Sequence, residues 1–153
     1  MSGGRGPRRR AREIAFRLLY QAELTKDSIA ASWAHAEDAA TLPDDARAYV
    51  DELVRVLEDD PAGIDRRLEG ALEHWKLDRL AATDKSVLRL ATAELAHLRG
   101  TPARVILDEA VRLARRFGRE ESGRFVNGVL DRVARDLRPG ELEQSAGGME
   151  EQA

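Results

Sequence analysis

An all-α protein of about seven helices, packed orthogonally as two small helical subdomains, is what this sequence predicts. Three observations lead there. Alanine, leucine and arginine dominate, while aromatic residues make up only 5%. No stretch sustains the period-two alternation of a half-buried strand, whereas apolar residues recur at helical spacing over most of the chain. Proline stands at the junctions between those stretches, at Pro43, Pro61, Pro102 and Pro139, where it starts or stops a helix.

Residues 1–7 are Gly-rich and polar and are expected to form a disordered basic arm. A first helix follows over 8–24, with Ala11, Ala15, Leu18, Leu19 and Ala22 as its apolar stripe. The segment "TKDSIAASWAHAEDAA" predicts a second, short helix after a turn. "LPDDARAYVDELVRVLEDD" predicts a third, because Asp44 and Asp45 complement the positive end of the helix dipole. Asp60 with Pro61 repeats that start signal, giving a fourth over 61–71. "HWKLDRLAATD" breaks the periodicity and reads as a tight, partly helical connection. Thr83 is expected to cap a long fifth helix carrying Val87, Leu88, Ala91, Leu95 and Leu98. Gly100 ends it, Thr101 caps a sixth and Pro102 starts it. Gly118 ends the sixth, and Ser122 is expected to cap a seventh with Val126, Val129, Leu130, Val133 and Leu137 facing inward. Residues 8–138 are thus one helical domain, divided near residue 75 into parts of roughly 8–75 and 76–138. The remainder, 139–153, has four glutamates and no base and reads as a disordered acidic tail.

A chain of 153 residues, 42% hydrophobic and 35% charged, fits one globular domain with a real core. Nothing approaches a membrane-spanning run, and the basic start leads into an amphipathic pattern instead of the apolar core of a secretory signal. There is no cysteine, which suits a reducing cytoplasm and removes thiolate metal sites. His35, His74 and His97 have no metal-ligand spacing. No phosphate-binding glycine loop and no nucleophile motif occurs. Adjacent acids such as Asp108–Glu109 and Glu120–Glu121 point about 100° apart on a helix. Neither an enzyme nor a metal or cofactor site is expected.

Charge carries the signal instead. Arg5, Arg8, Arg9, Arg10, Arg12 and Arg17 face a single acid, Glu13, so the first seventeen residues carry +5 in a chain of net charge −3. On a helical wheel these arginines spread over several sides, which suits a protruding helix end meeting a phosphate backbone, and guanidinium binds phosphate bidentately. A solvated, solubilising cap fits the segment too. A second feature is "ESGRFVNGVLDRVAR". Gly128 sits mid-helix, where close approach of another helix would justify it, and Asn127 beside it reads as buried and hydrogen-bonded. Phe125 next to Arg124 is how single-stranded RNA bases are commonly held by stacking, although the spacing also makes Phe125 partly core. A third is "LDRLAATDKSVLRLATAEL", where Asp78 and Asp84 each serve either a helix dipole or a basic protein partner.

In order along the chain, "RRRARE" leading into "LLYQAEL", "HWKLDRL" followed by "DKSVLRLATAEL", "VILDEAVRLARRFG" and "SGRFVNGVLDRVAR" together resemble the NusB family of bacterial transcription antitermination factors. The resemblance covers roughly 8–137. It implies an all-helical protein that pairs with NusE, a ribosomal protein, and recognises single-stranded boxA RNA of ribosomal RNA leaders. Such a pair helps build the antitermination complex on RNA polymerase. By motif, it implies RNA contacts at Arg8, Arg9, Arg10, Arg12, Arg124 and Phe125, and a NusE-facing side with Tyr20, Asp78 and Asp84. Glu121 then takes an acidic position that modulates RNA affinity. Family members occur as monomers and as homodimers. The acidic remainder of the chain suits a basic partner and discourages indiscriminate RNA binding. Competing readings are a NusB-like module of a ribosomal RNA methyltransferase, which would make this chain a fragment, a DNA-binding regulator, and a helical adaptor. Against the DNA reading, "RLARRFGRE" lacks the turn and partner helix of a helix-turn-helix.

Overall fold

The computed structural model describes residues 5–143. Its helices are α1 (Arg5–Thr25), α2 (Ile29–Ala34), α3 (Asp44–Asp59), α4 (Pro61–Ala71), α5 (Ala82–His97), α6 (Ala103–Phe117) and α7 (Ser122–Leu137). Two 3-10 turns, Glu37–Thr41 and Leu77–Arg79, complete the list. The second is the partly helical connection read from "HWKLDRL". Among the described residues there is no strand, and no helix is long and apolar enough to cross a membrane.

α1 begins three residues earlier than its apolar stripe implies, so 5–7 are helix and not arm. Pro7 does not prevent this, because the N–H groups of a first turn have no intrahelical acceptor to lose. Residues 1–4 lie outside the described residues. The short α2 is fixed from both ends of its sequence: the Ser28 hydroxyl accepts from the Ala31 N–H, and the Trp33 indole donates to Asp51 of α3 at 2.6 Å. Asp60 caps α4 by accepting from the Gly63 N–H at 3.0 Å, as its position before Pro61 predicts.

The other three expected caps are corrected. Ala81 precedes α5 and offers no side chain, and Thr83 is already inside the helix. Pro102 precedes α6, and the Thr101 hydroxyl turns instead toward Arg8 and Tyr49. The donor left open at the start of α6, the Ala103 N–H, goes to Glu141 at 2.6 Å. Ser122 is the first residue of α7, and its Oγ accepts from the Arg119 N–H, closing the turn before the helix.

α5 lies at the centre and packs against α1, α3, α4, α6 and α7. Ten of its sixteen residues are buried, so it is covered nearly all round, unlike the amphipathic helices about it. One connected apolar core runs from Ala11 of α1 through Leu88, Leu90 and Leu95 to Val133 of α7 and Leu142. The reading of 139–143 as disordered tail is corrected by that last contact. Arg138, 5% exposed, turns back onto α5 and donates to the carbonyls of Glu94, Leu95 and Leu98. These carbonyls lie at the C-terminal end of α5, where those of Glu94 and Leu98 also accept from the Leu98 and Thr101 N–H groups, and a cation there complements the dipole. Leu142 follows it into the core. The tail from 144 onward lies outside the described residues.

Candidate nucleic-acid interface

The N-terminal arginines do not form one exposed cluster; α1 distributes them by its turn. Arg8 and Arg10 are exposed. The Arg8 guanidinium stands 5.0 Å from the Tyr49 ring centroid and reaches Thr101 at 3.4 Å, and Arg10 has no hydrogen-bonding or ionic partner among the described residues. Arg9 is half-exposed and forked onto Glu109 of α6, with Nε to Oε1 at 3.1 Å and Nη2 to Oε2 at 2.8 Å. That hydrogen bonding raises the Arg9 pKa above its ordinary value, against the effect of burial. Burial alone would push the Glu109 carboxyl up. The hydrogen bonds and charge of Arg9, helped by Arg12 and Arg112, hold it below the usual carboxylate range.

Arg12 is a correction. It is 2% exposed, and its Nε lies 2.9 and 3.0 Å from the two Glu94 oxygens inside the core. Tyr49 completes the cluster, its hydroxyl donating to Glu94 at 2.5 Å. Burial lowers the Arg12 pKa, but the charge and hydrogen bonds of Glu94 outweigh it and the net shift is upward. A guanidinium so enclosed joins α1 to α5 and has no face left for a phosphate.

Arg124 is exposed in the first turn of α7 and Phe125 is half-buried against the core. The Phe125 ring meets Trp75 edge-on at 6.5 Å, and Trp75 is 60% exposed. The two aromatics share a concavity with Leu80, Asp84, Arg119 and Glu121. Sequence reading placed Phe125, Asp84 and Glu121 separately; the fold brings them together. It missed Trp75, whose signal was an aromatic in a polar connection. Glu121 is exposed just before α7 and makes no capping bond.

Asp84 lies in the first turn of α5, half-buried, with Oδ1 enclosed and without a donor among the described residues. Asp78 is exposed in the 3-10 turn. Tyr20 is half-buried and stacks on Phe16, which stacks in turn on Phe117 of α6. The readings of Asn127 and Gly128 are also corrected. Asn127 is exposed, and a Cβ on Gly128 would meet nothing within 4 Å. The close approach is one turn earlier, at Gly123, where a Cβ would stand 3.0 Å from the Arg115 side chain.

Among the described residues no group of three His, Cys, Asp or Glu could hold a metal ion. Fold and surface together define an all-helical protein with exposed arginines on α1 and α7 and a concavity shared by Trp75 and Phe125. It belongs to the NusB family, whose model matches residues 9–135. The chain is 43% identical over 150 residues to a transcription antitermination protein NusB from Deinococcus deserti, spanning 93% of this chain and 85% of that protein. It is 42% identical over 136 residues to the one from Sorangium cellulosum, spanning 86% and 94%. Among solved structures, T. maritima NusB superposes with a TM-score of 0.80 at 35% identity, covering 89% of this chain and 96% of that one. NusB as solved with NusE and double-stranded RNA superposes with a TM-score of 0.77 at 28% identity, covering 86% and 98%.

Proposed function

We propose that this protein is a cytoplasmic, non-catalytic transcription antitermination factor that binds boxA RNA together with NusE. Membership of the NusB family supports the class. The observation that carries RNA binding is a set of exposed arginines without carboxylate partners among the described residues, Arg8 and Arg10 on α1 and Arg124 on α7, the last next to Phe125, whose ring meets the exposed Trp75. Guanidinium groups supply phosphate contacts and the aromatic faces supply stacking, as single-stranded RNA requires. Arg9 adds to this set only in part, since Glu109 holds it. Tyr20, Asp78 and Asp84 are the NusE-facing residues in this reading. A buried carboxylate oxygen without a donor is destabilising, and a basic residue of a ribosomal protein would satisfy Asp84. Glu121, in the same concavity as Phe125, places a negative charge where it opposes phosphate and so tempers affinity.

Binding of boxA RNA, scrambled RNA and duplex DNA, each with and without NusE, tests the function. Preference for boxA RNA that sharpens with NusE is expected, whereas equal binding of duplex DNA would refute it. For the partner side, Asp84→Lys should leave the melting temperature within a few degrees and RNA binding by the isolated protein little changed. Its dipole role is worth only about 0.3–1 kcal/mol, whereas losing a paired, desolvated charge costs an interface about 2–5 kcal/mol. Unchanged NusE affinity by calorimetry would take Asp84 off that surface.

A further inference from the structure

An open groove along α6 and α7 is lined by eight residues, of which four are arginines (Arg112, Arg115, Arg116 and Arg124) and one, Asp108, is an acid. Nine arginines are ion-paired among the described residues, Arg9, Arg12, Arg55, Arg89 and Arg135 among them, and others, such as Arg66 and Arg67, are not. In the groove only Arg116 is paired, through Glu13 of α1. Arg112, Arg115 and Arg124 form no ion pair among the described residues.

The helix dipole accounts for part of this and not for the rest. Arg115 and Arg116 fall in the last turn of α6, where cations are favoured. Arg112 is a turn too early for that. Arg124 is at the wrong end, in the first turn of α7, where a cation faces the positive pole. Packing positions Arg115, whose side chain lies across Gly123, where a Cβ would stand 3.0 Å from it. With Asp108 as the one acid of the lining, the four arginines leave the groove net positive beside the N-terminus of α7, an arrangement that favours an anion.

Side-chain bonds tie α6 to α1, Arg9 to Glu109 and Arg116 to Glu13, and Arg116 also lines the groove. We propose that the α6–α7 groove is a second phosphate track, carrying the backbone of the RNA strand onward from Arg8 and Arg10. Arg112, Arg115 and Arg124 contact phosphates, and the exposed Asn127 amide offers a donor and an acceptor to ribose or base. This rests on the RNA-binding reading above and adds to it residues and a path.

The test compares Arg112→Gln/Arg115→Gln with Arg66→Gln/Arg67→Gln, which removes equal charge from a separate concavity between α4 and α7. Binding of a single-stranded boxA RNA is followed against salt. Loss of two phosphate contacts should reduce the magnitude of the log–log salt slope by about 1.4, at roughly 0.7 per contact. Affinity should fall at least about tenfold at moderate salt, with the control pair near wild type on both counts. An unchanged slope in the groove variant, or equal losses in both variants, overturns the track. Wild-type protein that binds no RNA overturns the functional reading itself. Arg112→Gln alone, which leaves the Arg115–Gly123 packing in place, should remove about 0.7 from the slope and guards against a misfolded double variant.

Discussion

Arg10 and Arg12 are two residues apart on α1 and have opposite roles, because two positions turn a helix by about 200°. Arg10 faces solvent, and Arg12 is sealed against Glu94. Removing one member of a buried pair strands the other, at about 3–5 kcal/mol. Arg12→Gln should therefore lower stability by that order in denaturant melts, with RNA affinity per folded molecule unchanged. Arg10→Gln should do the reverse, weakening RNA binding at unchanged melting temperature. Equal effects on binding would return Arg12 to the surface. Gly128 offers a second contrast, since open space surrounds its Cβ position. Gly128→Ala should stabilise by up to about 1 kcal/mol in the same melts, the helix-propensity gain. A loss would reveal a neighbour there. Neither role was legible in the sequence. The partner of Arg12 lies 82 residues away, and a mid-helix glycine carries no mark of what stands opposite it.

At the scale of elements, α1 is held to the rest of the bundle by carboxylates under arginine and lysine. Glu23 accepts from Lys85 at 2.7 Å and from Arg89 at 3.0 Å on α5, and Glu109 takes Arg9. The Lys85 hydrogen bond, against burial, holds Glu23 below its ordinary value of 4.5, and Glu109 is depressed likewise. A carboxyl depressed in the folded state contributes stability above its unfolded pKa and loses it as pH falls through the folded one. Stability should then drop as pH is lowered past about 4.5. In Glu23→Gln/Glu109→Gln the protein should melt lower at pH 7 and show a flatter acid limb. Parallel melting curves from pH 7 to 3 would contradict this. Helix existence and order were legible from apolar periodicity and the proline junctions, because both are local. Helix starts were less so. Asp60 caps α4 as read, but the Thr101 hydroxyl is drawn off by Arg8 and Tyr49, and Glu141 supplies the α6 cap from beyond α7. A cap donated across 38 residues leaves no local signature.

For the whole molecule, α5 collects the other long helices and leaves the arginine-bearing surfaces of α1, α6 and α7 to solvent. The charge asymmetry of the sequence pointed to a nucleic-acid or anionic-membrane contact at the N-terminal end. It did not show that α6 and α7 border a groove with four arginines, since Arg112, Arg115 and Arg116 alternate with core residues and read as an ordinary solvated side. RNA is expected to lie across the arginines of α1, the α6–α7 groove and the Trp75–Phe125 pair. Photo-crosslinking of thiouridine-substituted boxA RNA to the protein, with the attached peptides mapped, tests it most directly. Attachment is expected at Trp75 and within peptides carrying Arg8–Arg10, Arg112–Arg116 and Arg124–Asn127. Attachment centred on Arg47 and Arg55 of α3 or Arg66 and Arg67 of α4 would contradict it.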